Sequence, residues 1–278
     1  MEVKEEKMGF LKALFSGKIE TAEEQAKEKE ARNFDVLKYD GVRAMRAGQL
    51  DYAKECFLHA LEYQDDLEVR ESLADVLIHQ GNLENGMEQL RVLIAAEADN
   101  VELLLKAAHV EYMQDHYDEM MELCQKALVL NPEQVEALYL QARAYEGLGN
   151  LVTAVAVLTQ AIALNENYGN AYLLRAMLLL KMGDAAAAAQ DLDYLLEQVP
   201  ENEDVLLEKA RVEKALGHTD DSLSYYNKVV ETNPFRVEAF RERGALRLEL
   251  GDKSGATEDM RTVLELDPEA AQVSGEFH

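Results

Sequence analysis

The stretch GLGNLVTAVAVLTQAIALN, residues 147–165, says most about the fold of this chain. A Gly-Asn pair is followed by a run of residues with no charge and almost no polar group, which ends at Asn165. A membrane-spanning helix needs about 18 or more such residues in a row. The run is too short for that, and we therefore predict that it is a helix packed inside a protein core.

The turn residue of this stretch, Gly149, recurs along the chain at a nearly constant spacing. Steps of 34 residues, with one step of 33, connect Gly251, Gly217, Gly183, Gly149, Asp115, Gly81 and Gly48. A fixed period of this length indicates a repeat protein, in which each unit buries its apolar side against its neighbours.

Two further sets of equivalent positions, which we call columns, follow the same period. A small residue stands seven positions before each turn, at Gly41, Ala74, Ala108, Ala142, Ala176, Ala210 and Gly244. All four prolines stand seventeen positions after a turn, at Pro132, Pro200, Pro234 and Pro268. Small side chains let two helices approach closely, and proline ends a helix. Each unit is therefore predicted to consist of a helix, a short turn, a second helix and a loop.

This pattern resembles the tetratricopeptide repeat, a helix-turn-helix unit of the same period. In the fourth unit the columns of that family fall on Leu138, Ala142, Tyr145, Ala154, Leu158 and Ala161, with Glu166 where proline is usual. The third unit departs from the family pattern, because Asp115 occupies the turn and Met120 a small-residue column. The resemblance implies an all-α fold, an α-solenoid of such units that forms a right-handed superhelix.

The resemblance covers residues 34–270, which we divide into seven predicted repeats. Their bounds are 34–66, 67–100, 101–134, 135–168, 169–202, 203–236 and 237–270. Residues 1–33 are predicted to be an apolar segment followed by a charged linker or helix, and residues 271–278 a short tail. With no room for a capping helix after repeat 7, Met260, Val263 and Leu264 are expected to be partly exposed. This allows a homodimer through the ends of the array, or a partner's helix that completes the stack.

The composition restricts the partners and the compartment. The formal net charge is -26, from 28 Lys plus Arg against 54 Asp plus Glu, which disfavours nucleic acid and anionic membranes as ligands. No secretory signal is recognisable at the amino terminus, so a cytoplasmic protein is expected. Cys56 and Cys124, the two cysteines, fall within apolar helical patterns and are predicted to be buried free thiols.

Chemical motifs do not point to an enzyme. The sequence contains no phosphate-binding glycine loop, no HExxH and no nucleophile elbow. His79 and His109 fall on adjacent first helices, but a metal site needs further ligands, so we predict no metal and no cofactor. A non-enzymatic scaffold that binds a protein or peptide is the function we expect.

In the family that the chain resembles, the first helices line a groove that takes a peptide. Residues spaced four and then three positions apart on that face are the predicted binding residues: Leu105, His109, Tyr112, Tyr139, Arg143, Leu173, Met177, Leu180, Leu207, Arg211 and Lys214. Aromatic, Met and Arg side chains are enriched at binding hot spots. Three cations flank the apolar strip, so a peptide with apolar anchors and one acidic group is expected. The alternative is that Leu173, Met177 and Leu180 only pack against neighbouring helices.

Two charge patterns have structural explanations that compete with ligand binding. Arg175 and Asp191 lie sixteen positions apart, as do Arg243 and Asp259 in the same columns, which predicts an ion pair between the two helices of one repeat. An acidic column opens the first helices, at Asp35, Glu68, Glu102, Glu136, Asp204 and Glu238. These carboxylates suit the positive end of a helix dipole, and the alternative is an acidic strip for a basic peptide.

The amino-terminal octet MGFLKALF, residues 8–15, places Met8, Leu11 and Phe15 on one helical face. Capping of the first repeat or self-association is expected, because the acids on both sides of the octet oppose anionic lipid. The alternative function is a membrane-surface or complex-assembly factor tethered through this segment.

Overall fold

The computed structural model describes residues 22–269, and side chains from residue 26 onward. This part of the chain contains fourteen α-helices and no strand. The helices are α1 (Ala22–Arg46), α2 (Leu50–Tyr63), α3 (Leu67–His79), α4 (Leu83–Ala96), α5 (Val101–Met113), α6 (Tyr117–Leu130), α7 (Val135–Gly147), α8 (Leu151–Leu164), α9 (Gly169–Lys181), α10 (Ala185–Gln198), α11 (Glu203–Leu216), α12 (Thr219–Thr232), α13 (Val237–Glu249) and α14 (Lys253–Leu266). The predicted all-α array of helix pairs is confirmed.

The turn within each helix pair contains one residue in the left-handed backbone conformation. All six glycines of the turn column have positive φ, for example 77° at Gly149. Asp115 fills the same position in repeat 3 with φ 58°, and it is the one non-glycine residue of the described chain with positive φ. Glycine adopts this left-handed conformation without a steric penalty, and aspartate tolerates it better than most residues.

The small-residue column marks where two helices approach most closely. Ala74, Ala108, Ala142 and Ala210 have no exposed surface. At Gly41 an added Cβ would lie 2.5 Å from the Phe57 ring, closer than carbon atoms pack. The column is therefore restricted to small residues by contact with the second helix of the same repeat.

The opening stretch forms α8, but it is not surrounded by protein as we expected. Ala154, Leu158, Ala161 and Ile162 are buried, whereas Val152 is 69% exposed. A second helix packs on its own first helix and on the next one, so one side still faces solvent. Mostly small residues occupy that side, which is why the sequence looks apolar all round.

The described residues divide between Gln114 and Asp115 into two compact units, which we call the first and the second unit. In the first unit, Phe57, Leu73 and Val76 lie in one apolar core that joins α1, α2 and α3. In the second unit, successive cores are centred on Leu158, Leu192 and Tyr226, each a residue of a second helix. Each core spans neighbouring repeats, as nearest-neighbour packing in a repeat protein requires.

Two residues at the ends of the array, Asp35 and Val263, differ from expectation. Helix α1 already includes residues 22–33, so the charged segment is helical there and Asp35 lies well inside the helix, away from its first turn. Met260 and Leu264 are exposed as predicted, but Val263 is buried, with 1% of its surface exposed. Residues 8–15 and the tail 271–278 lie outside the described residues, and their predicted roles stay predictions.

Both cysteines are buried free thiols, as predicted. Cys56 lies on α2 in the first unit, and Cys124 lies on α6 in the second unit. Burial raises the pKa of the Cys124 thiol to about 12. Within residues 22–269, no helix combines the length and apolar character that crossing a bilayer requires.

Candidate functional site

The two predicted intra-repeat ion pairs are present. Arg175 donates from Nε and Nη2 to the two carboxylate oxygens of Asp191, at 2.8 and 2.6 Å. Arg243 binds Asp259 in the same bidentate way, at 3.1 and 2.5 Å. Both aspartates are buried, so these arginines neutralise charges that would otherwise be costly to bury. The pairs fix the angle between the two helices of a repeat and are engaged within the fold.

The first unit holds three of the eleven predicted binding residues, all on α5. Leu105 is 5% exposed and belongs to the interior. His109 is exposed and Tyr112 is half-buried. A peptide on this surface could reach His109 and Tyr112 but not the Leu105 side chain.

The second unit holds the other eight, and five of them line one pocket. The pocket has a volume of about 360 Å³ and includes Tyr139, Arg143, Leu173, Met177 and Arg211 in its wall. Leu180 and Lys214 lie elsewhere on the first helices, where Lys214 pairs with Glu249 at 2.8 Å. Leu207 is 1% exposed and is part of the core, so it is not accessible to a ligand.

One half of this pocket, formed by α7 and α9, is mainly apolar. Met177 is exposed over 37% of its surface, and Leu173 and Tyr139 are half-buried beside it. The Tyr139 ring is held edge-on against Tyr168, with 5.7 Å between ring centres. Arg143 lies at the margin, where its guanidinium is 3.3 Å from Glu146. We call this surface, Tyr139, Leu173 and Met177, the apolar half.

The other half, formed by α11 and α13, is a network of charges around Arg211. Arg211 Nη2 is 2.6 Å from Glu242 Oε1, and the same guanidinium also binds Glu208 and Glu238. The Tyr226 hydroxyl donates to Glu242 at 2.9 Å and ties the network to the core. We call the pocket residues Arg211, Asp204, Glu208 and Glu238 the charged half, which Glu242 and Tyr226 support from behind the pocket wall.

The network shifts the proton affinity of its members. Burial raises the pKa of the Glu208 carboxyl, and Glu242 and Glu238 add to the rise while Arg211 opposes it. Burial also raises the pKa of the Tyr226 hydroxyl, together with the nearby Glu242 carboxylate. Three carboxylates around one guanidinium leave Arg211 with its charge more than compensated, which works against recognition of an acidic ligand group here.

Sequence reasoning missed the carboxylates of the pocket as site residues. Asp204, Glu208, Arg236 and Glu238 all contribute to its wall. Asp204 and Glu238 belong to the acidic column, and both lie in first turns, where the helix dipole favours them. Arg236, at the start of α13, donates to Asp204 in the first turn of α11 at 2.8 Å. The acidic column was the signal available in the sequence, and the dipole explanation accounts for it only in part.

One other cluster in the described chain has the composition of a metal site. Ligand atoms of Glu213, His218 and Asp221 lie within 4.8 Å of one another. Lys209 already binds the Glu213 carboxylate at 2.8 Å, and His218 Nδ1 is 2.7 Å from its other oxygen. Hydrogen bonds from Lys209 and His218 outweigh the effect of burial and lower the pKa of Glu213. The carboxylate is thus an ion-pair partner of a lysine, which disfavours a cation in the same place.

Family profiles match most of the repeat region. Three profiles described as tetratricopeptide repeat match residues 41–102 and 153–203, residues 123–156, and residues 179–243. No curated protein matches the chain.

Solved structures with the same fold are numerous and distant in sequence. A tetratricopeptide repeat protein from Parabacteroides merdae is 19% identical, with a TM-score of 0.72 over 85% of this chain and 94% of that one. PilW, described as a type IV pilus biogenesis factor, is 17% identical, with a TM-score of 0.66 over 73% and 94%. YrrB, described as having an unusual peptide-binding site, is 17% identical, with a TM-score of 0.52 over 64% and 92%. At these identities the similarity establishes the fold alone.

Proposed function

Since this chain belongs to the tetratricopeptide repeat family, we propose that it is a non-enzymatic scaffold that binds a peptide segment of another protein. The observation that carries this proposal is the pocket of about 360 Å³ on the first helices of repeats 4 to 7. A similar fold in a protein described as having a peptide-binding site supports the same class of ligand.

The apolar half is the proposed anchor site. Met177 and Leu173 offer an adaptable apolar surface, and Tyr139 adds a rigid aromatic ring whose position is fixed by Tyr168. Methionine and aromatic side chains are the residues that bind apolar anchors of peptides most readily. A peptide with one or two apolar side chains fits this surface.

The charged half is proposed to favour a basic group on that peptide. The side chains of Asp204 and Glu238 are 55% and 45% exposed, so each can accept a further hydrogen bond from a ligand. Arg211 and Arg236 are already bound by carboxylates. With a net charge of -26, the protein also attracts cationic segments at long range. The proposed ligand therefore carries a lysine or arginine near its apolar anchor, in place of the acidic group expected from the sequence.

Selection of peptides from a random display library tests this function. The wild-type protein is expected to enrich peptides that combine apolar residues with lysine or arginine, and Met177→Glu is expected to lower their affinity about tenfold or more. Met182→Glu is the matched control, because Met182 is similarly exposed but lies at the end of α9, outside the pocket. Enrichment of acidic peptides, or equal losses in the two variants, would count against the proposal.

A further inference from the structure

The last described helix, α14, exposes an apolar face that all corresponding second helices bury. Met260 is 44% exposed, whereas the residues of its column in the six earlier repeats are at most 3% exposed. These residues are Phe57, Leu90, Cys124, Leu158, Leu192 and Tyr226. Leu264, one turn further along α14, is 39% exposed. No described helix follows α14, so the surface that a next repeat would cover is open in the described chain.

Helix α1 exposes the complementary face at the other end. Val36 is 53% exposed and Tyr39 is 71% exposed. The column of Val36 is buried in every other first helix, with at most 4% exposure at Val69, Leu103, Ala137, Ala171, Val205 and Ala239. The first repeat therefore lacks, among the described residues, the preceding second helix that covers this column elsewhere.

Inside the second unit, the column of Met260 packs against the column of Val36 in the next repeat. Leu158 shares one apolar core with Ala171, and Leu192 shares the next core with Val205. Tyr226 lies in a third core with Ala239. The joint between two repeats is thus made by the column of Met260 on one side and the column of Val36 on the other.

A polar column beside the apolar one makes the joint specific. At three successive joints, a residue one position after the core column accepts from a cation on the next first helix. The pairs are Thr159 with Arg175 at 3.0 Å, Asp193 with Lys209 at 2.6 Å, and Asn227 with Arg243 at 2.8 Å. The same two columns hold Arg261 on α14 and Asp40 on α1. The end faces therefore carry opposite charges at this position. Their arrangement is the reverse of an internal joint, because the cation is on the second helix and the carboxylate is on the first helix.

We propose that copies of this chain associate head to tail, with α14 of one copy packed on α1 of the next as in an internal joint. Met260 and Leu264 then cover Val36 and Tyr39, and Arg261 pairs with Asp40. Because the two faces differ, a dimer leaves one face of each kind open, and the association either continues or closes into a ring. Asp40 is already 2.9 Å from Arg43 on its own helix, and Arg43 stands in a column that is apolar in the other first helices. Both features make this joint weaker than an internal one and therefore dependent on concentration.

Sedimentation equilibrium over a dilution series, at about 0.15 M salt to screen the net charge, tests the association. The wild-type chain is expected to exceed its monomer mass of 31.3 kDa as concentration rises. Met260→Glu places a carboxylate in the joint and is expected to raise the dissociation constant about tenfold or more. Val129→Glu is the matched control, since Val129 is 82% exposed on α6 and its column already holds glutamate at Glu197, Glu231 and Glu265.

A charge exchange identifies the two faces directly. Arg261→Asp and Asp40→Arg each place like charges together, so each variant alone is expected to associate more weakly than wild type. Mixing the two variants restores opposite charges at both kinds of joint and is expected to restore association to near the wild-type level. A wild-type chain that stays monomeric throughout, or association that ignores all of these changes, overturns the proposal. So does a chain that associates only after deletion of residues 1–21 or 270–278, because its own segment then covers a face.

Discussion

The two halves of the pocket in the second unit differ in how the side chains at equivalent helix positions are bound. In the apolar half, Met177 leaves over a third of its surface uncovered. In the charged half, Arg211 stands one repeat further on in the same column and binds three carboxylates. The repeat fixes the backbone at both positions, so the difference shows that a column's place in the fold does not decide whether its side chain is bound within the fold or left open.

The largest expected effect is the loss of Arg211. In Arg211→Met, Glu208 and Glu242 lose the guanidinium that binds them, and Glu238 keeps only Arg236 at 3.5 Å. The free energy of unfolding is therefore expected to fall by ~2–3 kcal/mol at pH 7. This is less than for a fully buried pair, because the Arg211 side chain keeps a quarter of its surface exposed. Urea denaturation measures it, with exposed Arg241→Met as the control. A change under ~0.5 kcal/mol would show that the charged half does not stabilise the fold.

The pH dependence of the stability of Arg211→Met tests the same network of charges. Burial raises the pKa of Glu208, and removal of Arg211, which opposes that shift, raises it further. A carboxyl whose pKa is raised on folding stabilises the folded state while protonated and loses that contribution as pH rises through the raised pKa. The deficit of Arg211→Met is therefore expected to shrink by ~1 kcal/mol or more between pH 7 and about 5. Denaturation curves of both proteins at the two pH values decide this, and a constant deficit contradicts it.

A smaller effect is expected at the link between the charged half and the core. Tyr226→Phe removes the hydrogen bond to Glu242 but keeps the ring in place, so a loss of about 1 kcal/mol is expected. Tyr225→Phe on the same helix is the control. Thermal and urea denaturation measure both changes. Equal losses in the free energy of unfolding would mean that the hydrogen bond to Glu242 does not stabilise the fold.

The smallest effect is expected in the apolar half. Met177→Ala is predicted to change the free energy of unfolding by less than ~0.5 kcal/mol, as for an exposed residue. Met87, which is 3% exposed, provides the contrast, because Met87→Ala is expected to cost about 2–4 kcal/mol. If Met177→Ala costs as much as Met87→Ala, the apolar half is part of the core and the comparison fails.

Much of the architecture was predictable because it follows from the backbone period. The glycine turns, the small-residue column and the pairs Arg175–Asp191 and Arg243–Asp259 depend only on register, and the structure confirms them. The enclosure of Arg211 was not predictable from register. Its partners come from its own helix and the next first helix, three, 27 and 31 residues away, and which of them it binds depends on side-chain conformation.

The exposure expected for Val263 was an error of register, because its column, which includes Ala161, Leu195 and Val229, is buried in every repeat. Burial within one column was harder to predict. Leu105 and Leu207 share a column predicted to face a ligand but are drawn into the interior. Tyr139 and Leu173 stand in the same column and are half-buried. The side chains around each position differ between repeats, and a single column does not encode them.

The placement of the two cysteines gives each unit its own chemical reporter. Thiol reagents attack the thiolate, and Cys124 is both buried and held in its protonated form by a pKa of about 12. Its alkylation at neutral pH therefore requires local opening of the second unit, while Cys56 reports on the first. The rates of maleimide labelling at the two sites read out, without any engineered probe, whether the two units open together or separately.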